Sequence, residues 1–467
     1  MPSMANDAPD KVRSLQRKLY RAAKQARGRR FHALFDKVYR RDVLERAFEV
    51  VARNKGAAGS DGQTIDEIQQ SGLEEFLSQL QVELREGSYR PLPVRRVAIP
   101  KASGGERMLG IPAVRDRVVQ AAVKIVIEPI FEADFCDCSL GFRPKRSARD
   151  AQVRIRRHIQ RERRHAVVDA DIEGFFDNLD RSVLRRALRE RISDRRVLAL
   201  IDRWLAAGVL AEGSLLHPET GTPQGGVISP LLANVYLNAL DRAWEERHWR
   251  LGQLTRYADD LVICCWRPDQ AKRARGALAS ELAKLGLRLS DQKTEIVTLE
   301  VDAEGFDFLG FHYRRVQSRS SGKPYIACWP SRRAMAAARE RIRQLTPVGR
   351  IGLPAIMVAQ DLNRFLRGWG AYFRSGNSTQ QFKALDRYVF WRLSRFLTRK
   401  YDKRGYRRGM AQLMDSRTRL GLHQLAGTIR YEQAQATRRT MSESRVRENL
   451  THGSMRRREE TRPVGLT

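Results

Sequence analysis

The sequence predicts an α+β protein whose last large segment is purely helical. Three observations carry that expectation. A hairpin-like pair of short strands, VRRVAIPK and MLGIP, brackets a glycine-rich turn. After residue 113 helical and short-strand patterns alternate. Beyond about residue 330 apolar residues recur only at helical spacing.

The first element is a basic helix. Residues 11–41 contain twelve Lys or Arg against one acid, Asp36, and Leu15, Leu19, Ala22, Ala23 and Ala26 recur at helical spacing. A solvated amphipathic face is the bland reading. A helix lying along phosphates is preferred, because so many like charges disfavour a helix without a polyanion. Arg17, Lys18, Arg21 and Lys24 are its candidate RNA contacts.

NKGAAGSDG (54–62) reads as a loop, 65–85 as a helix, 94–101 as a strand and SGGE (103–106) as a hairpin turn. GTPQGGVISP (221–230) opens a helix reaching about Trp249, with Ser229 as cap and Pro230 in the first turn. RYADDLVICC (256–265) reads as two strands around a turn, followed by a helix over 268–285 and the segments LSDQKTEIV and GFDFLGFHY. Leu362, Phe365, Leu366, Trp369 and Phe373 mark one late helix, and Phe382, Leu385, Val389, Leu393 and Phe396 mark another. RSGNST (374–379) separates them, with a Ser/Thr cap expected on the second helix. Arg364, Arg367, Lys383 and Arg387 on their polar faces are further candidate RNA contacts.

Composition narrows the function class. Of 467 residues, 42% are hydrophobic, enough for two or three domains with cores of their own. Lys and Arg number 87 against 54 Asp and Glu, a net charge of +33 that points to nucleic acid or an anionic surface. The opening MPSMANDAPDK lacks the apolar core of a signal peptide, and no run approaches the roughly 18 apolar residues of a membrane span. A soluble, intracellular chain without a membrane partner is expected. Cys136, Cys138, Cys264, Cys265 and Cys328 form no C-x-x-C pair and read as reduced packing residues.

The chemistry centres on Asp259 and Asp260, two like charges inside an apolar run. Burying such a pair is costly unless a cation compensates. A third carboxylate stands in VVDADIEGFFDNLD (167–180), where Asp169 and Asp171 alternate onto one strand face. A strand carboxylate facing a hairpin-turn pair builds an oxygen site suited to Mg²⁺. An ordinary polar turn is the alternative for the Asp pair alone. The histidines are scattered and read as structural.

Tyr257-Ala258-Asp259-Asp260 resembles the YxDD signature of reverse transcriptases. Over about residues 40–400 the chain resembles a group II intron-encoded reverse transcriptase and maturase. NKGAAGSDG, IPKASGGERMLGIPAVRDRVVQ, SLGFRPKRSARDA, DADIEGFFDNLD, TPQGGVISPLLANVYLNALD, RYADDLVI, LSDQKTEIV and FDFLGF occur in family order, and the hairpin around GWGAYF resembles its thumb or maturase region.

The resemblance implies a right-hand polymerase fold, with fingers and palm built on antiparallel sheet and a helical thumb. Its domains would be a basic N-terminal extension (1–52), fingers and palm (53–315), a thumb/maturase domain (316–400) and a basic C-terminal segment (401–467), partly disordered. Asp171, Asp259 and Asp260 would hold two Mg²⁺ ions, with the Ile172 backbone facing them. Phe176 would lie under the incoming sugar and exclude a 2′ hydroxyl. Lys101 and Arg107 would grip the triphosphate. Gln224 and Gly225 would let backbone approach the nascent base pair. Lys293 would donate a proton to pyrophosphate. Phe176 as core packing, Lys101 and Arg107 as solvated charges, and Lys293 as a surface lysine are the plainer readings.

The implied partners are intron RNA, an RNA template and DNA primer, a DNA target and dNTPs, in a bacterial, cytoplasmic, nucleoid-associated ribonucleoprotein. Oligomeric state is left open, a homodimer being one option. The chain departs from many family members in lacking paired cysteines or clustered histidines after residue 330, so no HNH-type endonuclease is expected. Arg438-Arg439 and Arg456-Arg457-Arg458 are candidate DNA contacts or a nonspecific basic tail. The alternatives are a domesticated reverse transcriptase in phage defence and a binding-only splicing factor.

Overall fold

The computed structural model describes residues 10–100, 106–211, 214–216, 225–401, 407 and 421–429. The chain divides into two compact units, Met1–Glu300 and Val301–Thr467.

The first unit contains two four-stranded sheets. One runs β2 (Glu106–Ile111), β1 (Val94–Pro100), β4 (Val209–Ala211), β5 (Ser214–Leu216). Its β1–β2 and β4–β5 pairs are antiparallel, and β1–β4 is parallel. The other runs β6 (Gln253–Tyr257), β7 (Asp260–Cys265), β3 (Ala166–Asp171), β8 (Glu295–Thr298), antiparallel throughout. Helices Val114–Glu132 and Ser229–Ala243 are buried on nearly every side, which their apolar residues all round the helix permit. One hydrophobic cluster reaches from Val12 to Leu287. The five cysteines carry free thiols, and all except Cys136 are buried.

The basic N-terminal helix, Lys11–Gln25, belongs to that core. Asp10 caps it, accepting from the Arg13 amide at 3.0 Å. Val12, Leu15, Leu19 and Ala23 are buried, and each fully buried leucine contributes roughly 1.5–3 kcal/mol. Gln16 Nε2 donates to the Ile125 carbonyl and Lys24 Nζ to that of Ala133. The apolar face of the helix is therefore packed against protein, and its basic face is left to solvent. The expected helix over 65–85 is two, Ile65–Ser71 and Leu73–Glu86, broken at Gly72 with φ 125°. Ser229 is already helical, and Ile228 occupies the cap position.

The second unit has a three-stranded meander, β9 (Phe306–Phe308), β10 (Phe311–Gln317) and β11 (Pro324–Pro330). The boundary expected at residue 315 falls inside β10, because β9 to β11 form one hydrogen-bonded sheet. Helices Arg332–Leu345, Ala355–Phe373 and Thr379–Lys400 follow. Ser378 precedes the last of these without accepting from it; its Oγ donates back to the Phe373 carbonyl at 2.8 Å.

Residues 421–429, part of the basic C-terminal segment, lie across the last two helices. Asp386 accepts from the Leu425 and Ala426 amides at 2.9 and 2.8 Å. Asn363 accepts from the His423 amide and donates to the Gly421 carbonyl. Leu425 is fully buried, and a Cβ on Gly370 would meet its side chain at 2.6 Å. The arginine pairs near 438 and 456 lie outside the described residues.

Candidate active site

Asp171, Asp259 and Asp260 lie where three strands of the antiparallel sheet end. Ala166, Val167, Val168 and Ala170 of β3 and Leu261 to Cys265 of β7 are buried, which locks the register of the two strands. That register sets Asp171 directly opposite Asp260. On the other side, Tyr257 of β6 pairs with Asp260, leaving Ala258-Asp259 as a two-residue hairpin loop. Such loops require a positive φ, and Ala258 supplies one at 59°. The strand–turn–strand reading of RYADDLVICC is thus the observed one.

Electrostatics at the site favour a cation. Burial, joined by the charges of Asp259 and Asp171, pushes the Asp260 carboxyl up to about 6. Lys293 Nζ lies 2.8 Å from Asp171 Oδ2. That pair is largely exposed, with Lys293 68% accessible, so it offsets little of the repulsion. Ile172 is buried and bridges Leu289. The bonds to that segment come from its neighbours, Asp171 O with the Ser290 amide and Glu173 N with the Arg288 carbonyl. The Ile172 carbonyl therefore points away from it, toward the β7 side.

Among the described residues, no three Asp, Glu, His or Cys side chains converge into a self-sufficient metal cage. An all-oxygen set of few carboxylates and a backbone carbonyl fits a hard divalent ion that keeps water and substrate phosphate as its other ligands.

Phe176 lies in the turn just after β3, half-buried, with its ring 5.0 Å from Phe175, which in turn contacts Tyr236. Gly225 has φ 116°, and a Cβ there would collide with the Gly110 carbonyl of β2. This puts the loop backbone directly on the β1–β2 hairpin. Arg107 pairs with Ile99 in that hairpin; its side chain, Lys101 and Gln224 lie outside what is described.

Sequence reasoning passed over Gln120, whose Oε1 accepts from the Val227 amide at 2.9 Å and holds the loop after Gly225. It also passed over Arg256, fully buried against Asp241. A charge within the apolar β6 strand was the available signal for Arg256; Gln120, inside a buried helix, gave none.

Of the candidate RNA contacts, Arg17, Lys18, Arg21, Arg367, Lys383 and Arg387 are exposed. Arg364 is exposed too, 3.5 Å from Asp361. Lys24 is tied to the Ala133 carbonyl. No described helix is long and apolar enough to cross a membrane.

Comparison with known proteins shows the family. The family model for reverse transcriptase (RNA-dependent DNA polymerase) matches residues 99–313. The model for the group II intron maturase-specific domain matches 335–414. Protein YkfC of Escherichia coli (strain K12) is 34% identical over 363 residues, covering 69% of this chain and 93% of that protein. Group II intron-encoded protein LtrA of Lactococcus lactis subsp. cremoris is 38% identical over 213 residues, 45% of this chain and 35% of LtrA. A putative COX1/OXI3 intron 2 protein of Saccharomyces cerevisiae is 31% identical over 251 residues, 52% of this chain and 28% of that protein. The match thus spans about a third of LtrA and over nine tenths of YkfC.

Carboxylates at the β3 end and on the β6–β7 turn, in a chain so matched, define a reverse transcriptase. With the maturase-specific domain following the polymerase domain, the chain belongs to the group II intron-encoded reverse transcriptase and maturase family.

Proposed function

We propose that the chain copies intron RNA into cDNA and binds that RNA to promote its splicing and mobility. The observation that carries the polymerase reading is the opposition of Asp171 and Asp260 beside the Asp259 turn. In this reading the β6-β7-β3-β8 sheet is the palm of a right hand, the β1–β2 hairpin belongs to the fingers and the late helices form the thumb. The extension 1–52 and the segment 401–467 would flank a polymerase domain (53–315) and a thumb/maturase domain (316–400).

Asp171, Asp259, Asp260 and the Ile172 carbonyl would hold the metal. Two Mg²⁺ ions, when bound there, supply the charge that activates a primer 3′ hydroxyl and stabilises departing pyrophosphate. Phe176 excludes a 2′ hydroxyl by filling the space under the sugar. Lys101 and Arg107 bind the dNTP triphosphate, and Gln224 and Gly225 bring loop backbone to the base pair. Lys293 Nζ holds the proton that pyrophosphate receives. Arg17, Lys18, Arg21, Arg364, Arg367, Lys383 and Arg387 neutralise intron phosphates, and Lys24 fixes the N-terminal helix that presents the first three. The remaining partners are an RNA template with a DNA primer and a DNA target, within a nucleoid-associated ribonucleoprotein.

Primer extension on a defined RNA template with dNTPs and Mg²⁺ tests this. Wild type extends, Asp259→Asn does not, and Phe176→Ala gains rNTP incorporation. A folded, RNA-bound wild type that extends nothing would leave only the binding role.

A further inference from the structure

Behind the Ala258-Asp259 turn lies a buried polar network outside the carboxylate site. Arg256, at the end of β6, is fully buried, as is Asp241 on helix Ser229–Ala243. All five guanidinium N–H groups are used. Nε and Nη2 donate to the two Asp241 oxygens at 2.8 and 2.5 Å. Nη2 also donates to Ser139 Oγ at 2.7 Å, and Nη1 to Asn234 Oδ1 at 3.0 Å. The fifth bond, from Nη1, goes to the Ala258 carbonyl at 2.9 Å.

That last acceptor matters most. The Ala258 carbonyl belongs to the peptide joining Ala258 to Asp259. Holding it fixes the orientation of that peptide and hence where the Asp259 side chain leaves the backbone. The turn needs holding, because Ala258 sits in the left-handed region that a residue with a Cβ disfavours. A second support closes from the other side. Gly141 presses on the Ala258 backbone where no Cβ would fit, and its carbonyl accepts from Asn234 Nδ2 at 2.8 Å. The Cys138–Leu140 backbone bonds along Arg256 at 2.8 and 2.9 Å. Asn234 and Asp241, two turns apart on one helix face, thus bind the same guanidinium.

A buried ion pair contributes little net stability compared with apolar residues of the same volume. What this pair offers that apolar packing cannot is a directed bond to one carbonyl. We propose that Arg256, oriented by Asp241, Asn234 and Ser139, is a positioning residue that sets the Ala258–Asp259 peptide and through it the metal-facing carboxylate of Asp259. The proposal rests on the metal-dependent polymerase reading above.

The test measures Mn²⁺ binding by the electron spin resonance signal of the free ion, with thermal melting, intron RNA affinity and primer extension run in parallel. Arg256→Lys keeps the charge but cannot reach Asp241 and the Ala258 carbonyl together. It should bind Mn²⁺ about 10-fold more weakly and need correspondingly more Mg²⁺ for half-maximal extension, while RNA affinity stays within about twofold. Ser139→Ala removes one neutral acceptor and should shift Mn²⁺ binding the same way by about two- to fivefold. Folded variants with wild-type Mn²⁺ affinity overturn the proposal. If Arg256→Lys does not fold, Ser139→Ala decides by the same criterion. A wild type that binds Mn²⁺ yet extends no primer fails the polymerase reading alone, leaving the Mn²⁺ comparison to judge the positioning role. A wild type that binds no Mn²⁺ overturns both.

Discussion

The β6-β7-β3-β8 sheet and the late helical hairpin use charge in opposite ways. In the sheet, carboxylates crowd at strand ends, and Asp260 is pushed up to about 6 by burial and by its acidic neighbours. In helices Ala355–Phe373 and Thr379–Lys400 the charges of Arg367, Lys383 and Arg387 face outward, over a core of Leu362, Leu366, Phe382 and Leu385 that does not involve them. In the proposed reading a bound cation would relieve the unfavourable electrostatics of the sheet. The hairpin avoids that cost and offers only long-range attraction. Chemistry should therefore depend on single atoms, and binding on the sum of many.

The largest effect expected is on Asp259→Asn. Removing one of the charges proposed to hold the metal should slow primer extension at least about 1,000-fold, or ~4 kcal/mol. Melting temperature and intron RNA affinity should stay unchanged, and splicing should survive. Splicing lost in the folded variant would break the comparison, since one site would then serve both activities.

The hairpin's core answers next. Leu425 is buried beneath Asp386-bound backbone, so Leu425→Ala should destabilise the second unit by about 2–4 kcal/mol. A lowered transition in a thermal melt of the full chain would show it. An unchanged melt would mean that residues 421–429 do not belong to the cooperative core.

Surface charge comes third. Lys383→Ala with Arg387→Ala should weaken intron RNA binding about 10-fold and flatten its salt dependence by roughly one unit of log-log slope per cation. The melt should not move. Loss of stability instead would place these cations in the fold rather than in the interface.

The opposition of Asp171 and Asp260 beside the Asp259 turn was readable in the sequence because buried strands show as apolar runs, and these three residues interrupt them. Its supports were not. Asp241 reads as an ordinary helix acid until packing brings it onto Arg256, fifteen positions along the chain. The parallel β1–β4 pairing joins segments more than a hundred residues apart, and no local pattern encodes such a contact. Residues 421–429 looked like tail because their one large buried side chain is Leu425, and the rest of their anchoring is backbone bonded to Asp386 and Asn363. The split at Gly72 was visible as a glycine, but the helical period continued on both sides of it.

A second buried carboxylate in the first unit sharpens the contrast. Asp116 also rises to about 6, with burial as the chief cause, but no acidic cluster surrounds it. Its oxygens accept from the Tyr89 hydroxyl at 2.5 Å and the Leu92 amide at 2.9 Å, bonds that pull its pKa back down. Here the carboxyl serves the fold. Because its folded value lies above the ordinary 3.8, the folded chain holds the extra proton between about 4 and 6. The contribution of Asp116 to stability is therefore largest at the acid end of that window and falls as pH rises through it, with a slope below about 1.4 kcal/mol per pH unit. Asp116→Asn abolishes the titration. Asn offers one acceptor oxygen where Asp offers two to Tyr89 and Leu92, so the variant should be less stable throughout and the readout is the slope and not the level. Denaturant titrations at pH 4, 5 and 6 should show the stability difference between wild type and variant shrinking as pH rises. An unaltered slope would mean that Asp116 stays ionised across the window, its two accepted hydrogen bonds outweighing its burial.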